Sequence, residues 1–160
     1  MRKYLTLIIV SILVLSGCRT AYEYRSKHHK WFSIALAEGV EIHVDTASIK
    51  PMGSVTYAFE KRVYTTPEAK EAYISKIRAE YEKMGKAEKI DKWKDFSYNV
   101  YYSLYDCTNQ RFRVLVVEDF DSAGNSIIRT TPPKNKMQWL NVENETVGDY
   151  TFFFVCDYGQ

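Results

Sequence analysis

Three thiols carry most of the chemistry this sequence can offer: Cys18, Cys107 and Cys156. A thiolate is a nucleophile and a metal ligand, so a cysteine can take a lipid, close a disulfide or hold an ion. Cys18 stands directly behind an apolar run, Leu5 to Leu15, that starts after Arg2 and Lys3. A positive start, an apolar stretch of about 7–15 residues and a small-residue site are the parts of a secretory signal. The run is too short to cross a bilayer, which takes about 20 residues. An exported chain meets an oxidising compartment, and there the remaining pair, Cys107 and Cys156, favours a disulfide. Such a bridge closes a loop of about 50 residues, for which chain entropy gives about 4 kcal/mol. Two buried free thiols are the other reading. A metal site has less support, because no Cys or His stands nearby at ligand spacing.

The end of the apolar run, Leu15-Ser16-Gly17-Cys18, resembles the lipobox of bacterial lipoproteins: a leucine, two small residues, a cysteine. The resemblance implies that the Cys18 thiol carries diacylglycerol, that residues 1–17 are removed as a signal peptide and that the new amine is acylated. Each buried methylene contributes about 0.8 kcal/mol, so one chain holds marginally while two or three hold stably. The expectation is a protein whose membrane partner is met through its lipid, without spanning. An ordinary secretory signal with an incidental cysteine is the alternative. Arg19 is not the Asp that the sorting rules of such lipoproteins associate with inner-membrane retention, which favours the outer membrane. Whether the cell surface or the periplasmic face is decorated is not written in the sequence.

No other residues converge on a reaction. There is no G-x-S-x-G elbow, and no H-E-x-x-H or phosphate-cradling loop. His28 and His29 adjoin in a polar stretch, while His43 alternates outward from a strand, where a solvated residue is a simpler reading than a base. Glu118 and Asp119 fall on opposite faces of a strand and cannot act together. The sequence therefore predicts neither enzyme, metal nor cofactor. The full chain carries 22 Lys and Arg against 20 Asp and Glu. Removing residues 1–17 takes away Arg2 and Lys3 and no acid, which leaves the signs balanced, so nothing favours nucleic acid.

The elements that position these residues follow from periodicity. Arg19 to Lys30 is polar and aperiodic, a tether with a basic end. Trp31 to Leu36 reads as a strand and Glu38-Gly39 as a turn. Val40, Ile42 and Val44 alternate toward a core. Pro51 to Ser54 reads as a turn. Val55, Tyr57, Phe59, Lys61 and Val63 share the apolar face of the next strand, which Lys61 marks as leaving the core. The period then changes to 3.6: Thr65 or Thr66 caps, Pro67 opens the first turn, and Tyr73, Ile77, Tyr81 and Met84 form one stripe before Gly85. A short helical piece from Lys86 to Trp93 follows. Phe96, Tyr98, Val100, Tyr102 and Leu104 then take one side of a strand, with Tyr101 and Tyr105 opposite. Phe112, Val114, Val116 and Phe120 take one side of its hairpin partner, with Arg111, Arg113, Leu115 and Val117 opposite. Ser126 to Arg129 extends after a turn, and Pro132 to Lys136 is a basic loop. Val147, Tyr150, Phe154 and Tyr158 stand at helical spacing, although Thr151 to Val155 also suits a buried strand. Aromatic residues at 15% of the chain, with 13 tyrosines, favour β structure around one filled core.

The order Val40…Val44-Asp45…Ser48-Ile49, a strand, and a cysteine closing a strand at Cys107 resembles the surface-adhesin protein E family of small bacterial lipoproteins. Asp121…Gly124-Asn125, the Pro-Pro-Lys loop and a cysteine near the end at Cys156 follow the same pattern. The resemblance covers about Val40 to Val63 and Tyr98 to Tyr158. It implies an α+β fold: an antiparallel sheet of about six strands packed by a C-terminal helix, with the paired cysteines tying helix to sheet. A charged helical segment at about 67–92 looks inserted. It also implies an adhesin that binds host extracellular matrix or serum proteins, and a homodimer.

The expected organisation is thus a signal peptide at 1–17, a lipidated tether at 18–30 and one domain at 31–160. The expected contact surface is the hairpin, through Tyr101, Tyr105, Arg111 and Arg113, together with Lys134 and Lys136 of the basic loop. Tyrosine supplies amphipathic contact area, and the cations meet acidic proteins or glycans. A periplasm-facing structural or accessory lipoprotein without a host ligand is the alternative.

Overall fold

Alternating side chains set most of the backbone, and glycine sets the first corner. Strands β1 (Trp31–Ala37) and β2 (Val40–Asp45) join through Glu38 and Gly39, which take φ of 50° and 76°. Two consecutive positive φ values make the tight turn whose twist matches a hairpin. A Cβ on Gly39 would lie 2.5 Å from Thr66 Oγ1, so no larger residue fits there. These features belong to a computed structural model that describes residues 28–144 and 146–158. The expected signal, the lipidation residue Cys18 and most of the expected tether lie outside the described residues.

After a 3-10 turn at Thr46–Ser48 come β3 (Lys50–Met52), β4 (Val55–Tyr64) and helix α1 (Pro67–Lys83). Thr66 caps α1, its hydroxyl accepting from Ala69 N at 3.2 Å, and Pro67 opens the first turn. A 3-10 segment, Ala87–Trp93, leads into β5 (Phe96–Asp106), β6 (Arg111–Asp121) and β7 (Ser126–Thr130). A 3-10 turn at Lys134–Lys136, β8 (Leu140–Asn141) and helix α2 (Val147–Tyr158) complete the chain order. The sheet runs β1-β2-β4-β5-β6-β7, antiparallel throughout, with β3 paired to β4 and β8 to β6. The fold is the expected α+β sheet packed by a C-terminal helix. Two short strands, β3 and β8, were not legible: β3 contains Pro51, which reads as a turn residue.

Both helices cover the same face of the sheet. Under α2, Phe152, Val155 and Cys156 close on Val44, Ala58 and Tyr105. Under α1, Ala69 joins Tyr64, Trp93 and Phe96. Fully burying each large apolar side chain contributes about 1.5–3 kcal/mol. The contact stripe of α2 is Thr151, Phe152, Val155 and Cys156, whereas Tyr150 and Tyr158 of the expected stripe are exposed. On α1, Tyr73, Ile77 and Tyr81 pack inward as expected, and Met84 lies past the last turn, exposed.

The register reverses one expectation. On β4 the covered face is Thr56, Ala58, Glu60, Arg62 and Tyr64, and the apolar set Val55, Tyr57, Phe59, Lys61 and Val63 lies on the other face. Ala58, with no exposed surface, explains the choice: a methyl group lets α2 approach the sheet closely. Two bulges break the expected alternation of the hairpin. One between Phe96 and Tyr98 sends Phe96 inward. The other, at Leu115, puts Phe112, Val114 and Val117 on the covered face but Val116 and Phe120 on the open one.

Candidate binding surface

The disulfide fixes the fold that presents every other residue. Cys107, just past β5, bonds Cys156 of α2 with S–S 2.07 Å and Cα–Cα 5.7 Å, tying helix to sheet. Helix α2 thereby stays on the covered face, and among the described residues no helix packs on the other.

That open face is built in cross-strand rows. Phe59 of β4 faces Tyr102 of β5, which faces Val116 of β6; Val63, Tyr98 and Phe120 form a second row. The rings stack: Phe59 and Tyr102 have centroids 4.6 Å apart, Tyr98 and Phe120 4.8 Å, Tyr57 and Tyr102 5.7 Å. Between the rows Lys61 sets its ammonium 4.8 Å from the Trp31 ring and 5.9 Å from Tyr98. Burial among these rings lowers the Lys61 pKa, and Glu41 opposes the shift. Cross-strand aromatic pairs stabilise a sheet by about 0.2–1 kcal/mol each, and they also leave a rigid, half-buried apolar surface available to a partner.

The open face ends on a pair of guanidinium groups. Arg111 and Arg113 both lie over the Trp139 indole, at 4.8 and 4.3 Å from the ring centre. Arg111 is also bound to Asp106 through Nε and Nη2, each 2.8 Å from Oδ2. The Asn109 side chain and Arg111 hold the Asp106 carboxyl below the usual carboxylate range. Arg113 Nε is buried with no hydrogen-bond partner among the described residues. Lys134 is exposed on the 3-10 turn of Lys134–Lys136 that precedes Trp139.

Of the expected contact residues, the structure therefore unites Arg111 and Arg113 on the open face and places Lys134 and the backbone of Lys136 in the neighbouring loop. It does not unite them with the tyrosines. Tyr105 is 2% exposed, packed against Phe152 and Phe112 beneath α2, and is corrected from contact residue to core. Tyr101 also points to the covered face, its ring under the Arg62 guanidinium at 4.4 Å. Burial raises the pKa of both phenols, which favours their neutral form. Sequence reasoning missed Trp139, Trp31, Phe59 and Tyr102 as surface residues. The signal for Trp139 was a lone indole just after the basic loop Pro132 to Lys136.

The covered face carries a polar strip between the helices. Arg62 donates through Nε to Glu60, whose carboxylate is buried. Burial works against the Arg62 charge, but Glu60 beside it holds the group protonated. Asn99, with no exposed surface, donates to the Tyr64 and Tyr101 hydroxyls at 3.3 and 3.4 Å. Asp119 accepts from Trp93 Nε1 at 2.7 Å and from the Tyr73 hydroxyl at 2.8 Å, which fastens α1 and the 3-10 segment to the sheet.

The end of the expected tether is part of the domain. Asp45, fully buried, accepts from Lys30 N at 2.8 Å and Ala47 N at 3.1 Å, with His29 Nδ1 2.7 Å away. His29 in turn stacks on Trp31 and meets Phe59 edge-on, at the rim of the open face. Among the described residues no three His, Cys, Asp or Glu side chains are grouped to hold a metal. No helix among them is long and apolar enough to cross a membrane.

Comparison with known proteins bears on the family. The sequence profile described as Surface-adhesin protein E matches residues 31–157. Among solved structures, crystal form II of Haemophilus influenzae protein E is 13% identical, covers 83% of this chain and 99% of its own, and gives a TM-score of 0.45. Protein E from non-typeable Haemophilus influenzae is 15% identical, with coverage of 82% and 88% and a TM-score of 0.42. No curated protein matches the chain by sequence. With the profile matching most of its length, the chain belongs to the surface-adhesin protein E family.

Proposed function

We propose that this protein is a lipid-anchored envelope adhesin whose open sheet face, ending on Arg111, Arg113 and Trp139, holds matrix or serum proteins of a host. The family match over residues 31–157 carries the reading. The open face supports it chemically. Rigid rings give contact area at low entropic cost, and Arg113, held on the Trp139 indole beside the Arg111–Asp106 pair, is placed to meet a carboxylate. Lys134, exposed on the loop, extends the same charge.

The anchor of this reading is Cys18 with its lipid, and the outer membrane is its location. From Cys18 to His29 the chain reaches at most about 40 Å. His29 is fastened at the rim of the open face, so the tether keeps that face within such a distance of the lipid.

The test has two arms. Mass spectrometry of the mature N-terminus should find an acylated Cys18, and protease added to intact cells should remove the domain. A bare Cys18 overturns the anchor, and full protection of the domain overturns the adhesin in favour of a periplasmic role.

A further inference from the structure

The two helices cover the inner face from opposite ends, each over its own cluster. Between them the sheet is unsealed, leaving a cleft of about 510 Å³. That volume lies in the range of small-molecule sites, about 300–1,000 Å³. Its floor is Val40, Arg62 and Tyr64 of the sheet. One wall is α1, through Ala72, Tyr73 and Lys76, and the other is the start of α2 at Tyr150. The lining mixes the rings of Tyr64, Tyr73 and Tyr150 and the alanines of α1 with charged side chains, so it suits an amphiphile with an aryl or alkyl body.

The polar groups are placed for one end of such a body. The Arg62 guanidinium gives Nε to Glu60 and lies against Tyr101, and Arg62 is among the residues that line the cleft. Lys76 lines the same cleft and forms no ion pair among the described residues. Glu38 is the one lining carboxylate, exposed on the β1–β2 turn. Arg62 is paired with Glu60, and Lys76 shares the rim with the exposed Glu38, so an anionic head would be recognised by hydrogen bonds from the guanidinium and the ammonium rather than by excess charge. The strip beneath is costly to build: Glu60 is buried, and Asn99 Oδ1 is buried with no partner among the described residues. Apolar residues there would seal the helices together, so a polar floor under an open gap is spent on a ligand rather than on packing.

We propose that this cleft binds a small amphiphile with an aryl or alkyl body and a single anionic head, its head on Arg62 and Lys76. The site is separate from the open face and does not depend on the adhesin reading. Naphthoate is the probe, titrated calorimetrically into the full chain carrying Cys18→Ser, which cannot be acylated. Saturable one-to-one binding is expected, with naphthylmethylammonium not bound. Lys76→Glu, an exposed change that leaves the fold intact, should weaken naphthoate binding about tenfold. Ala72→Trp, at an exposed position, should fill the gap and abolish it. No saturable binding, equal affinity for the cationic probe, or affinity untouched by both substitutions would overturn the proposal. So would a change of oligomeric state in Ala72→Trp, which would make the cleft a docking site for a second copy.

Discussion

Phe59 stacks on Tyr102 at 4.6 Å on the face of the sheet that no described helix covers, while their neighbours Ala58 and Ser103 pair on the opposite face beneath α2. The larger residues thus face outward and the smaller ones inward. Ala58→Leu is expected to destabilise by about 1–3 kcal/mol through overpacking. Phe59→Ser, at a half-exposed position, should cost about 1 kcal/mol or less. Urea midpoints of the two variants check the order. A larger loss at Phe59 would place the core on the other face.

The Cys107–Cys156 bridge spans 49 residues of sequence. Replacing both by Ser should cost about 4 kcal/mol. Because the bridge holds α2, its loss should expose Tyr105 first. Hydrogen exchange is the readout, with amides of α2 and the end of β5 losing protection ahead of the β2–β4 pairing. Uniform loss across the sheet would mean that α2 docks without the bridge.

Much of this arrangement was legible in the sequence. The long hairpin, the capped helix after Thr66 and the inward set Val40, Ile42 and Val44 follow directly from periodicity. The helical C-terminus did not, because Thr151 to Val155 is apolar on all sides; family resemblance decided it. The orientation of β4 was hidden for a physical reason. Its apolar residues form the open face, and its inner face mixes Ala58 with the Glu60–Arg62 pair, so hydropathy pointed the wrong way. Tyr101 and Tyr105 were placed correctly opposite Tyr102 but read as surface, since nothing local says which face a helix will cover. Two bulges, each a single extra residue, then shifted the register of β5 and β6.

Asp45 is a buried carboxylate serving two backbone amides and lying beside the His29 ring. Asp45→Ala leaves the Lys30 and Ala47 amides without that acceptor and should cost about 1–3 kcal/mol. The change should also free residues 28–30 from the sheet. Limited trypsin digestion at Lys30, faster in the variant than in the parent at equal folded fraction, is the expected result.

Two carboxylates should tilt the acid stability profile in opposite senses. Asp121 accepts from the Asn125 side chain and from loop amides, which lowers its pKa in the folded state. Its stabilisation is present above the unfolded value, about 3.9, and is lost as pH falls through the lower folded value. Burial instead raises the Asp119 pKa, against its bonds to Trp93 and Tyr73. The folded state then holds that proton more tightly, so this group's contribution falls as pH rises from about 3.9 through the raised value. Urea midpoints across the acid range should show that Asp121→Asn removes part of the acid loss. Asp119→Asn should remove the opposing slope, and identical profiles for the two variants would contradict both assignments.

The binding face is tested most directly by charge reversal on the open side. Arg111→Glu with Arg113→Glu, measured by surface plasmon resonance against immobilised host matrix proteins, should abolish saturable binding while the melting transition stays cooperative. Tyr105→Phe, which alters only the core, should bind as the parent does. Undiminished binding by the double variant would show that partners dock elsewhere and would contradict the proposed role of this face.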